Sequence, residues 1–102
     1  MSDPIGLKVA YLNANGQVAT QASLVLATCT MHASGGTGVV EFHDTATTPA
    51  VGAVPKCRLD VVSHGVFSLQ IPAPGALFEK GIYVKVPASS SINIFYKDAN
   101  YG

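Results

Sequence analysis

Apolar residues along this chain recur at every second position, and these runs are separated by glycine, proline and asparagine at intervals of about 8–14 residues. That period puts alternate side chains on opposite faces of an extended strand, and no stretch carries the i, i+3, i+4 spacing of an amphipathic helix. The chain therefore reads as all-β. Residues 7–12 form a first strand, closed by Asn13-Ala14-Asn15-Gly16, residue types that tolerate positive φ. Residues 23–33 form the longest strand, with Val25, Ala27, Cys29, Met31 and Ala33 expected on the core face and Thr28, Thr30 and His32 on the other. Ser34-Gly35-Gly36-Thr37-Gly38 is then expected to fold this strand into a hairpin with residues 39–44, Val40 and Phe42 pointing inward and Glu41 and His43 outward.

Residues 45–55 are small, include two prolines and do not alternate, so they read as a loop that crosses between sheets or lies over the surface. Cys57, Leu59 and Val61 then alternate with Lys56, Arg58 and Asp60, and Ser63-His64-Gly65 is expected to make a second hairpin with residues 66–71, where Phe67, Leu69 and Ile71 point in. Pro72-Ala73-Pro74-Gly75 breaks the ladder and leaves Phe78 in a loop. Ile82, Val84 and Val86 share one face of the next strand, residues 87–91 turn the chain, and Ile92, Ile94 and Tyr96 share one face of the last. About seven strands result, which predicts a single antiparallel β-sandwich of immunoglobulin-like or jelly-roll type. One domain spans residues 1–102, with short flexible arms expected at 1–6 and 98–102.

Composition narrows what such a sandwich does. A chain of 102 residues has room for one core. Only 12% of residues are charged, against about 25% in a typical domain. Six basic and six acidic residues cancel, which removes the electrostatic source of nucleic-acid or anionic-membrane binding. Neither partner is expected. Weak charge repulsion favours self-association instead, so a homo-oligomer is expected, a trimer being the form considered. No window approaches the roughly 20 apolar residues of a membrane helix, and Met1-Ser2-Asp3-Pro4 lacks the basic start of a secretory signal. The expectation is folding in a cytoplasm, with Cys29 and Cys57 as free thiols.

Candidate chemistry is thin. A zinc site needs converging ligands, and the alternation places Cys29 and His32 on opposite faces of one strand. His32 with Glu41 or His43 could form a cross-strand surface pair across the first hairpin, an arrangement that more commonly hydrogen-bonds than binds metal. No metal or cofactor is expected. Ser34, Ser63, Ser89, Ser90 and Ser91 lie in turns without the strand-turn-helix elbow of a nucleophile, and both cysteines have core parity. The six acids, Asp3, Glu41, Asp44, Asp60, Glu79 and Asp98, are spread over faces and loops, so no carboxylate pair for glycoside cleavage is set up. No catalytic residue is assigned and no enzyme is expected. The run from Ser34 to Gly38 is not a phosphate cradle, because a strand rather than a helix follows it. Tyr83, Phe95 and Tyr101 are the aromatics expected to be exposed, and they could stack on a sugar ring, whereas Phe42, Phe67 and Tyr96 have core parity.

The stretch "LVLATCTMHASGGTGVVEFHD", followed by "GVFSLQIPAP" and "KGIYVKVPASSSINIFYK", resembles a group of short phage virion proteins built as small β-sandwiches. The resemblance covers residues 24–97 and rests on hairpin grammar, so it carries over no functional residue. It implies a capsid decoration, or cement, subunit that binds the major capsid protein or another virion subunit on the outer shell and stabilises it, in a virion assembled in the host cytoplasm. The runner-up is a carbohydrate-binding or adaptor module of a phage tail, neck or fibre.

Overall fold

In the computed structural model, which describes residues 6–72 and 74–99, nine strands form and the described residues contain no helix. They are β1 Lys8–Leu12, β2 Gly16–Ala19, β3 Ser23–His32, β4 Gly38–His43, β5 Cys57–Val61, β6 Val66–Gln70, β7 Ala76–Phe78, β8 Ile82–Lys85 and β9 Ser90–Asp98. Sheet I runs β1-β9-β3-β6, with β7 following β6 along the same side of β3, and sheet II runs β2-β8-β4-β5. Every pairing is antiparallel. The chain is thus an all-β sandwich.

The core lies between the sheets. Val25, Phe78, Ile92 and Ile94 from sheet I meet Val40, Phe42, Val61, Ile82, Val84 and Val86 from sheet II, all buried. Full burial of such a side chain contributes about 1.5–3 kcal/mol, so this layer is the main source of stability. The alternation in residues 39–43, 59–61, 82–86 and 92–96 sorts these residues inward as expected, and Phe67, Leu69 and Ile71 take the inward, half-buried side.

Neither expected hairpin forms. β3 has β9 on one side and β6 with β7 on the other, so it has no free edge for β4. Residues 33–37 instead carry the chain from sheet I to sheet II, a span long enough for the roughly 10 Å between packed sheets. Residues 62–65 return it from β5 in sheet II to β6 in sheet I. The long loop, residues 44–56, joins the adjacent strands β4 and β5, so it lies over the surface and does not cross between sheets.

The face assignment of β3 also changes. In its ladder with β9, Val25 stands opposite Tyr96 and Ala27 opposite Phe95, which leaves Leu26 as an inserted residue. A bulge of this kind reverses the parity of everything after it. Thr28, Thr30 and His32 are buried toward the core, while Ala27 and Cys29 lie on the outer face and Met31 and Ala33 are exposed.

Two strands are additional. β2 starts at the glycine of the first turn and spans four residues, and β7 spans three between a turn and Glu79, so neither is long enough to display an alternation. Phe78, expected in a loop, is 1% exposed under the core. Gly81 follows β7 with φ +156°, where an added Cβ would stand 2.5 Å from the Ala19 carbonyl oxygen and 2.8 Å from that of Thr45. At the C-terminal end β9 runs through Asp98, and the Ala99 N–H donates to the Ala22 carbonyl at 3.0 Å. The arm expected from residue 98 is therefore strand at its start, and its last residues, like residues 1–5, lie outside the described residues.

Candidate interaction surface

The residues weighed for metal or acid–base chemistry are dispersed. His32 sits in sheet I, and Glu41 and His43 in sheet II, so the cross-strand pairing considered for them does not exist. The His32 ring is buried between the Ser90 hydroxyl at Nδ1 and the Gly36 carbonyl at Nε2, 2.9 Å away. A carbonyl only accepts, so Nε2 carries a proton, and Nδ1 shares a hydrogen bond with the Ser90 hydroxyl. This histidine pins the crossover loop to the end of sheet I. His43, expected to point to solvent, is buried beneath the 44–56 loop, and its Nε2 donates to Glu41 Oε1 at 2.9 Å.

Cys29 lies on the outer face of sheet I beside Ser68, whose hydroxyl reaches its sulfur at 3.9 Å. Cys57 keeps the inward parity, opposite Phe42, yet stands at the rim of the sandwich and is exposed. Both cysteines are free thiols. Asp44 spends its carboxylate on structure: Oδ1 accepts from the Lys80 N–H at 2.7 Å and Oδ2 from the Glu79 N–H at 3.0 Å. Asp60 pairs with Arg58 at 3.3 Å, and Asp98 with Lys8 at 3.0 Å. Among the described residues no group of three His, Cys, Asp or Glu side chains converges on one point. Asp3 and Tyr101 lie outside the described residues.

Clefts open to solvent include two lined by described residues. One, of about 490 Å³, lies where the edges of the two sheets meet at β1 and β2, and is lined by Lys8, Gln17, Gln21, Tyr96 and Asp98 among others. The Gln21 amide and the Lys8 ammonium hold the Asp98 carboxyl below the usual range. The other, of about 300 Å³, lies under the 44–56 loop beside His43, Asp44 and Lys80. Tyr83 and Phe95 are both half-buried, on different sheets, so they do not make one stacking platform.

What the strands do sort is the chemistry of the two outer faces. On sheet II the lateral row across β8, β4 and β5 is Lys85, Glu41, Arg58, and the next carries Val39 and Asp60. On sheet I the corresponding rows are Val9, Phe95, Ala27, Gln70, then Tyr11, Asn93, Cys29, Ser68, then Ser91, Met31, Val66. These three rows hold no acid and no base. Val9, Tyr11, Met31 and Val66 are 57%, 61%, 54% and 66% exposed, and Leu7, just before β1, is exposed as well. Lys97 enters only at one end of the face, opposite Leu24. Single exposed apolar side chains are ordinary, whereas here several stand together on one sheet face. The sequence signal was present in residues 7–11 and 66, but the misplaced parity of β3 hid Ala27, Cys29 and Met31 from it. Comparisons with family models, with curated proteins and with solved structures find no match to this chain.

Proposed function

We propose that this chain is a non-enzymatic structural subunit whose work is packing against other protein, in the setting its resemblance suggests: a virion, where it decorates the outer shell and stabilises it. The observation that carries this reading is the outer face of sheet I, uncharged across three rows, set against the charged outer face of sheet II. A sandwich with one largely uncharged and one charged face can lie with the first against a protein surface and the second toward water. Burial of Val9, Tyr11, Met31 and Val66 would supply the affinity, and many copies on one shell would multiply a modest contact. The partner under this reading is the major capsid protein or another virion subunit, met by a homo-oligomer of this chain.

The test is addition of purified protein to undecorated shells. Saturable binding that raises the disruption temperature of the shell, and that Tyr11→Lys with Met31→Lys abolishes, supports the reading; binding to no particle overturns it. The cleft between β1 and β2 favours one other reading, a carbohydrate-binding module, since an aromatic residue, Tyr96, lines it together with the polar Gln21 and Asp98. Retention on a glycan array that is lost in Tyr96→Ala would select that reading instead.

A further inference from the structure

Of the sandwich edges, β6 is the one without a device against pairing. β1 carries Lys8 in its ion pair, β2 is interrupted by an irregularity between Gln17 and Ala19, β5 carries Arg58 and Asp60, and β7 is three residues long. Edge strands are ordinarily blunted by charge, bulge or shortness of these kinds. Val66-Phe67-Ser68-Leu69-Gln70 has no charge, no proline and no break in register against β3.

The direction of its backbone groups follows from two bonds. The Gly65 carbonyl accepts from His32 N–H at 2.8 Å, and the Ile71 N–H donates to the Leu26 carbonyl at 3.0 Å, so odd-numbered residues of β6 turn their N–H and C=O toward β3. The N–H and C=O of Val66, Ser68 and Gln70 therefore point away from the sheet. Among the described residues nothing bonds to them.

We propose that β6 pairs antiparallel with β6 of a second copy, about a two-fold axis through Ser68. That register sets Val66 opposite Gln70, Ser68 opposite Ser68, and Gln70 opposite Val66 of the other copy. Each is a pair that exchanges two bonds, so three pairs and two bonds per pair satisfy all six free groups of Val66, Ser68 and Gln70. Any other antiparallel register that uses these groups leaves some of them unpaired. Phe67 and Leu69, both on the inner side, come to lie opposite each other and extend the core across the junction. The two outer faces of sheet I merge into one uncharged surface of twice the width. A self-complementary contact closes at two copies, so the unit it forms is a dimer. This contact belongs to the free protein and stands or falls apart from the virion reading.

Sedimentation of the purified chain over a range of concentration, with amide hydrogen exchange, tests it. The expected result is a monomer–dimer equilibrium in which the amides of Val66, Ser68 and Gln70 become slow as the dimer fills, while those of Phe67 and Leu69 are slow throughout. Ser68→Pro removes an N–H that no intrachain bond uses, and Ser68→Lys sets two ammonium groups face to face. Each is expected to give a monomer, and the exposed position of Ser68 makes Ser68→Lys the decisive variant should the proline variant fail to fold. A chain that stays monomeric at high micromolar concentration overturns the proposal. So does a dimer that Ser68→Lys leaves intact, or one in which the amides of Val66, Ser68 and Gln70 exchange as fast as in the monomer.

Discussion

Val25 and Ala27, two residues apart on β3, face opposite sides of sheet I, because they stand opposite the consecutive residues Tyr96 and Phe95 of β9. One inserted residue, Leu26, decides which half of the strand is core. After it the threonines turn inward and the thioether and thiol turn out, the reverse of what hydrophobicity alone selects. The cost is visible inside: Thr28 and Thr30 have buried hydroxyls with no hydrogen-bond partner. The gain is an outer face where Cys29 and Met31 stand beside Val66 and Asn93.

The buried hydroxyls make a prediction of sign. Thr30 is 0% exposed, between Phe67 of β6 and Ile92 of β9. Valine has nearly the same shape and nothing to desolvate, so Thr30→Val is expected to stabilise the fold by about 1 kcal/mol. For a domain of this size that raises Tm by roughly 4–8 °C in a calorimetric scan. A fall in Tm would mean that the hydroxyl has a partner in solution.

The reassigned faces predict a contrast between two large-to-small changes. Phe78→Ala is expected to cost about 3–5 kcal/mol, because a ring 1% exposed leaves a cavity. Met31→Ala, at a site 54% exposed, is expected to stay within about 0.5 kcal/mol. Phe67→Ala falls between them, since that ring is half-buried at the β6 edge. Urea titration of the three variants checks the order, and equal costs for Met31 and Phe78 would put the bulge in the wrong place.

Local alternation carried the inward sides of β4, β5, β6, β8 and β9, because a strand's parity is a short-range property of its own residues. Pairing was another matter. Ser34-Gly35-Gly36-Thr37-Gly38 satisfies the chemistry of a hairpin turn, yet the same flexibility lets it step between sheets, and only the burial demands of β9, β6 and β7 around β3 decide which happens. The bulge at Leu26 has no local marker such as glycine, and β7 is too short to have a period. The outer face of sheet I shows both effects. Its β1 and β6 portions could be read in the chain, while its centre, Ala27, Cys29 and Met31, lay on the strand whose faces were exchanged.

Gly81 is a position where no other residue fits. With φ at +156° and carbonyl oxygens of Ala19 and Thr45 within 2.8 Å of a would-be Cβ, an alanine must push apart backbone that joins β2, the 44–56 loop and β8. Gly81→Ala is expected to destabilise by more than about 1 kcal/mol, the bound set by incompatible backbone alone. Gly52, with φ +83° and open space around it, feels only the backbone term, so Gly52→Ala should cost less in the same denaturation series.

The Asp44 carboxylate predicts a pH dependence. Partial burial raises its pKa, but the N–H donors of Lys80, Glu79 and Gly81, with the Lys56 ammonium, outweigh that and hold the carboxyl below its ordinary range. In the unfolded chain the group returns to about 3.9, so over the interval between the two values the unfolded state binds more protons and stability rises with pH. The contribution is therefore full above the unfolded value and is lost as pH falls through the lower folded value. Asp44→Asn keeps one acceptor oxygen but no charge, and should cost up to about 1.5–3 kcal/mol at neutral pH, the range for hydrogen bonds to a charged group. The difference between wild type and variant should begin to shrink as pH falls below about 4, where the unfolded chain takes up a proton that the folded carboxyl still refuses. Unfolding free energies measured by denaturant titration from neutral to acid pH give both numbers. A gap that stays constant across that range would remove the anionic carboxylate from the clamp that ties the 44–56 loop to the β7–β8 turn.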